Sequence, residues 1–155
     1  GSYIATISPP PYMVGGVEIE LDKRTGQYEI LNYVGVVDCG TTINPNLAKI
    51  QVEGGIMQGI GMASFEEAEY TSKGHLINNS FLKYKVPTRM EVKKIDVTFV
   101  ESYEPSGPYG AKSVGEIGID TPPAAIANAI KNATGARLYR LPMKAENIWK
   151  ASNNK

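Results

Sequence analysis

Four glycines inside one helical stretch set the strongest constraint on this chain. Residues 51–61 read Gln-Val-Glu-Gly-Gly-Ile-Met-Gln-Gly-Ile-Gly. Asn44 and Pro45 supply a cap and a first-turn proline for a helix running to about residue 67. Each interior glycine costs about 1 kcal/mol relative to alanine, so the four together cost roughly 4 kcal/mol. Such a stretch persists as a helix where something must approach its backbone closely. A helix or sheet packed tightly against it would do, and so would a bound group laid along it. Gln51 and Gln58, seven residues apart, return to within about 20° of each other, roughly 10 Å apart along the axis. Gly55 and Met62 share that stripe. An amide both donates and accepts, which suits a flat polar heterocycle; glutamines on a solvated surface are the plain alternative.

The rest of the chain fits one domain around this helix. At 155 residues, roughly 68–70% of the unfolded surface can be buried on folding. Hydrophobic residues at 42% and charged residues at 21% are ordinary for a globular domain. Residues 1–15 read as an extended, proline-rich arm or linker. Residues 17–21 alternate apolar and charged, the period of a half-buried strand. A turn at residues 22–26 leads to a second strand over 28–37, and the two read as a hairpin. Leu47, Ile50, Met57, Met62 and Phe65 supply the long helix with apolar groups. Strands are expected at residues 76–78, 82–86 and 95–100. Thr121-Pro122-Pro123 opens a second helix ended by Gly135. A short strand (137–141), a helical turn (145–150) and a tail (151–155) follow. The order favours an α+β fold, a mixed or antiparallel sheet packed with two main helices.

Sixteen Lys+Arg balance sixteen Asp+Glu. Nothing in that balance drives phosphate contacts, which speaks against nonspecific nucleic-acid binding. No apolar run approaches the ~20 residues of a membrane span, and the first residues carry no signal-peptide pattern. A cytoplasmic location is expected. One cysteine and one histidine cannot assemble an ordinary metal site. Cys39 reads as a small core residue and His75 as a solvated turn residue.

A second departure from local rules lies at residues 105–118, Pro-Ser-Gly-Pro-Tyr-Gly-Ala-Lys-Ser-Val-Gly-Glu-Ile-Gly. It resembles a phosphate-cradling loop but lacks the required spacing between its glycines and the Lys-Ser pair. Glu116 is its one acid besides those flanking it. A carboxylate between glycine and apolar residues is a candidate proton acceptor. A helix cap or an ion pair with Lys112 is the structural alternative.

These odd places come in a fixed order. Asp38-Cys39-Gly40 and Ile43-Asn44-Pro45 precede the glutamine–glycine helix. Phe65-Glu66-Glu67 and residues 79–88 (Asn-Ser-Phe-Leu-Lys-Tyr-Lys-Val-Pro-Thr) come next, and residues 107–116 follow. The combination resembles the C-terminal part of the molybdenum-binding subunit of the xanthine dehydrogenase/aldehyde oxidase family, over about residues 16–149. The resemblance implies that residues 16–150 are the C-terminal molybdopterin-binding domain of a larger subunit. It implies a molybdenum–pterin cofactor, as molybdopterin or its dinucleotide form, with the metal held by the pterin and not by protein ligands. Gln51 then hydrogen-bonds the pterin, and Gln58 is a second glutamine of that motif. Backbone at Gly110, Ala111, Lys112 and Ser113 lines the cofactor pocket, and Glu116 is the catalytic base. It takes a proton from a hydroxyl on the metal, so that water-derived oxygen reaches an electron-poor carbon of a purine, N-heterocycle or aldehyde. The implied partners are the remaining part of the subunit, FAD and 2Fe–2S domains or subunits, and a small-molecule substrate. The fragment alone would be inactive. The rival reading is a non-catalytic packing or subunit-interaction domain of a degenerate member.

Overall fold

The computed structural model of the protein describes Ile4 and residues 7–153. Strand β1 (Tyr12–Leu21) and strand β2 (Tyr28–Asp38) form the expected antiparallel hairpin. β1 starts earlier than its alternating residues suggest, because Tyr12 to Gly16 continue the ladder opposite Asp38 to Val34. A bulge between Glu18 and Ile19 shifts the register. Helix α1 (Pro45–Ser64) follows, then strand β3 (Ile95–Phe99), which lies parallel to β2. The sheet is mixed, in the order β1-β2-β3. Helix α2 (Ile117–Thr134) and helix α3 (Ala145–Asn153) complete an α+β fold.

The core forms between one sheet face and the two long helices. Tyr33 and Val37 from β2 meet Val52, Ile56 and Ile60 of α1 and Ile126 and Ile130 of α2. Each fully buried aliphatic side chain contributes about 1.5–3 kcal/mol relative to exposure. Two hydrogen bonds tie the layers together. Tyr33 Oη and Thr121 Oγ1 are 2.8 Å apart, and Tyr28 Oη donates to Ser64 Oγ at 2.7 Å. Gly15 lies under the Tyr33 hydroxyl, where a Cβ would collide with it.

Several expected elements differ. Residues 76–78 and 82–86 form no strand, apart from an isolated bridge between Tyr70 and Leu76. Phe81 and Leu82 are almost fully exposed, so their apolar character does not mark a buried ladder. Residues 137–141 are likewise irregular, with a cis Leu141–Pro142 bond beyond them. α2 begins a turn before the Thr-Pro-Pro signal. Pro122 and Pro123 are tolerated inside it, where they withdraw two N–H donors from the first turns. On α1, Leu47, Ile50 and Met62 are exposed, and the buried apolar side chains are Val52, Ile56, Ile60 and Ala63. The helix is apolar on more than one face, which hides the buried stripe from a simple pattern reading.

Candidate functional site

α1 enters the site with its cap in place: Asn44 Oδ1 accepts from the Leu47 N–H at 3.1 Å. Its residues divide cleanly between two faces. One face packs against α2 through glycines. A Cβ at Gly55 would stand 3.1 Å from Gly118 Cα, and one at Gly59 would stand 2.5 Å from the Ile119 carbonyl oxygen. Gly118 returns the fit, since its Cβ would meet the Val52 carbonyl at 2.7 Å. Tight helix packing therefore accounts for Gly55 and Gly59, and Gly55 is not on the open stripe with the glutamines. The other face carries Leu47, Gln51, Gly54, Gln58 and Met62, all exposed. A Cβ at Gly54 would meet nothing within 4 Å. The bare backbone between the two amides is thus at Gly54, one position from where the stripe suggests it.

The loop of residues 101–116 is fastened to the end of β2. Lys112 N donates to Cys39 O at 2.7 Å and Thr41 N donates to Gly110 O at 2.8 Å. Gly40 and Ala111 form an antiparallel bridge. Beside it, Lys112 Nζ lies 2.8 Å from Asp38 Oδ2 and 5.0 Å from the centroid of the Tyr12 ring. Asp38 Oδ1 also accepts from Ser102 Oγ at 2.6 Å and from Gly40 N at 3.0 Å. Farther along, the Gln51 amide donates through Nε2 to the Gly115 carbonyl at 2.7 Å, so α1 holds the residue next to Glu116. Its Oε1 has no protein partner among the described residues.

Glu116 occupies the cap position of α2 without a side-chain capping bond. Lys112, its alternative partner, is committed to Asp38. The Glu116 carboxylate is exposed and makes no hydrogen bond or ion pair among the described residues, so neither structural role suggested by the sequence occupies it.

A cavity of about 340 Å³ lies between the start of α1 and the loop; Cys39, Thr42, Asn44, Gln51, Ala111 and Lys112 are among the residues lining it, and Glu116 is not. Gln51, Ala111 and Lys112 are thus brought together. Gln58 stands two turns along the open face, Gly110 is buried in the loop, and Ser113 is exposed. The amides of Gly110, Ala111 and Lys112 are spent on Gly107, Pro108 and Cys39, while Ser113 N–H has no partner among the described residues. Sequence reasoning gave Asp38 no role. The available signal was an acid two residues before a glycine at a strand end, which accepts the N–H two residues on. Among the described residues no group of three or more His, Cys, Asp or Glu side chains is placed to hold a metal ion. Among the described residues no helix is long and apolar enough to cross a membrane.

The three donors around it, with Lys112 foremost, hold the Asp38 carboxyl down from its ordinary 3.8 to about 2. A depressed carboxyl adds stability that is fully present above 3.8 and is lost as pH falls through about 2. An NMR titration of the Asp38 carboxyl carbon is expected to give a midpoint near 2 in the folded protein. A midpoint at the ordinary value would mean that the Lys112 pair does not form.

The donor set suits a large polar heterocycle. One exposed face offers two neutral amides with bare backbone between them, and the adjoining cavity has a free amide oxygen in its wall. A family model described as the molybdopterin cofactor-binding domain matches residues 5–93. The nicotine 6-hydroxylase large subunit of Paenarthrobacter nicotinovorans is 36% identical over 150 residues, 94% of this chain and 18% of that protein. The xanthine dehydrogenase molybdenum-binding subunit of Escherichia coli O157:H7 is 37% identical over 145 residues, 93% of this chain and 19% of that protein. The solved structure of the aldehyde oxidoreductase from Desulfovibrio gigas superposes with a TM-score of 0.83 at 36% identity, covering 92% of this chain and 15% of that one. The chain therefore spans less than a fifth of the length of these relatives.

Proposed function

This chain belongs to the xanthine dehydrogenase/aldehyde oxidase family, within the molybdopterin cofactor-binding region of its molybdenum-binding subunit, and on that basis we propose that it forms one wall of the active site of a molybdenum hydroxylase. In this reading residues 16–150 belong to the C-terminal molybdopterin-binding domain of a larger subunit, and the strand residues Tyr12–Gly15, expected as part of an arm, belong to its sheet as well. The whole enzyme would be an oxidoreductase that hydroxylates an electron-poor carbon of a purine, N-heterocycle or aldehyde with water-derived oxygen. Alone, this segment lacks the other walls and is inactive. FAD and 2Fe–2S centres belong to other domains or subunits in this reading.

Gln51 and Gln58 hold the pterin through their amides, with Gly54 allowing close approach between them. The loop at Gly110, Ala111, Lys112 and Ser113 forms the adjoining rim. When bound, the molybdenum–pterin group supplies two-electron redox chemistry at a carbon that water alone does not oxidise. Glu116 accepts a proton at a carboxylate oxygen. Its freedom from caps and ion pairs leaves both oxygens available for that task, and its neighbour Gly115 gives the chain room to present it.

One observation carries the reading: the Gln51 amide grips the carbonyl of Gly115, next to an unengaged Glu116. The residue assigned to the pterin and the residue assigned to proton transfer are thereby linked through one hydrogen bond. Gln51→Ala in the intact subunit is expected to lower molybdenum and pterin content, since a buried polar group losing its partner costs about 1–3 kcal/mol. Metal analysis and pterin fluorescence of the purified variant are the check. Full cofactor content would remove Gln51 from the site. Packing explains Gly55 and Gly59, but it gives no reason for an open glycine at residue 54 between two exposed amides.

A further inference from the structure

The loop that presents Glu116 has two anchors of unequal strength. The weaker is the single Gln51–Gly115 hydrogen bond. The stronger is at Lys112, where the backbone pairs with Cys39 and the side chain with Asp38. The Lys112 side chain is 9% exposed and that of Asp38 is 26% exposed. An ammonium so far removed from water needs an opposite charge, and removing the charge while leaving the ammonium is strongly unfavourable. Asp38 gathers a lysine, a serine and a backbone amide from three stretches of chain: Gly40 after β2, Ser102 after β3, and Lys112 in the loop. Between Lys112 and α2, Ser113 and Gly115 are exposed, and a Cβ at Gly115 would meet nothing within 4 Å. Between the two anchors only Val114 packs against the core, so a displacement at the Lys112 root is opposed by little more than that contact and the Gln51 bond.

We propose that Asp38 is a positioning residue for Glu116: by gripping Lys112, Ser102 and the Gly40 amide, its carboxylate fixes the root of the loop and so sets where the proton acceptor stands. The inference rests on the reading of Glu116 as the base. Asp38 also keeps Lys112 engaged, which prevents the Lys112–Glu116 ion pair that their spacing would otherwise permit. Proton transfer depends steeply on placement, and a displacement of about 1 Å can cost on the order of 10²-fold in rate.

The test uses the intact molybdenum-containing complex with Asp38→Asn, Lys112→Met, Lys112→Arg and Glu116→Gln. Three quantities are measured: molybdenum and pterin content, hydrogen exchange of amides in residues 111–116, and steady-state turnover. In Asp38→Asn and Lys112→Met the Lys112 amide should exchange at least about tenfold faster, because its bond to Cys39 opens more often. Turnover should fall roughly 10- to 100-fold in kcat, with KM changed less than about threefold and cofactor content unchanged. Lys112→Arg keeps the charge and should recover most of both. Glu116→Gln should lose turnover with loop exchange at wild type. Wild-type turnover in Asp38→Asn and Lys112→Met beside an inactive Glu116→Gln would overturn the positioning role alone, whether or not the loop loosens. Loss of cofactor in these two variants would overturn it as well, since Asp38 would then act on cofactor retention. Wild-type turnover in Glu116→Gln would overturn the reading beneath it.

Discussion

Replacing Glu116 by glutamine in the intact holoenzyme is expected to reduce turnover by about 10²–10⁴-fold, the usual contribution of a positioned acid–base group. Glutamine keeps the size and hydrogen-bonding reach of the side chain but cannot take up a proton. Because Glu116 neither caps α2 nor pairs with Lys112, the substitution removes no structural interaction. Molybdenum and pterin content should therefore stay at wild type, and the thermal unfolding temperature should barely move. The loss should fall mainly on kcat, because the missing proton transfer belongs to the transition state. Rapid-mixing measurement of enzyme reduction by substrate, with metal content on the same sample, gives the result. Reduction at near wild-type rate with full cofactor would remove Glu116 as the base. Joint loss of cofactor and activity would make it a structural residue.

A second large effect is expected where α1 crosses α2, and it separates two glycines that look alike in sequence. Gly59→Ala places a Cβ 2.5 Å from the Ile119 carbonyl oxygen and 2.8 Å from Pro122 Cγ. Neither backbone nor proline ring can swing aside, so the helices must separate. Overpacking of this kind costs about 1–3 kcal/mol, which outweighs the gain in helix propensity. Gly54→Ala meets no atom and should stabilise the helix by up to about 1 kcal/mol. The same methyl group would stand between Gln51 and Gln58, so cofactor content should fall as stability rises. Thermal unfolding and metal analysis of the two variants of the intact subunit check both signs. A stabilised Gly59→Ala would contradict the helix crossing, and a Gly54→Ala variant with full cofactor would contradict close approach at that face.

The elements that the sequence made legible are those whose signals are local. Asn44 and Pro45 mark the start of α1, and alternation over residues 17–21 marks β1, because capping and pleating act within a few residues. β3 was legible as a strand, but its parallel pairing with β2 depends on residues far apart in sequence. Residues 82–86 misled for a related reason. Leu82 and Val86 are apolar yet exposed, and apolar character alone does not say whether a partner surface exists. The prolines of α2 also misled, since packing of Gly118 against α1 holds a helical turn ahead of them that propensity alone would not start.

The candidate site divides in the same way. The amide stripe follows from helical geometry, and Gln51 and Gln58 do share an exposed face. Which glycine bares that face could not be read from spacing, because Gly54 and Gly55 are neighbours and only the position of α2 decides between them. The engagement of Lys112 was equally hidden. Its partner lies 74 residues back at the end of β2, whereas Glu116 stands four residues on. Long-range topology, not local charge spacing, leaves Glu116 unengaged.

The account stands most directly on where the metal sits. Crystals of the intact complex, measured at the molybdenum absorption edge, locate it without assumptions about side-chain roles. An anomalous peak should lie off the exposed face of α1, in the groove bounded by Gln51 and the loop at Ala111 and Lys112, within reach of the Glu116 carboxylate. A peak beyond the opposite face of the sheet, or one that Glu116 cannot approach, would contradict the assignment of this segment as the cofactor-facing wall.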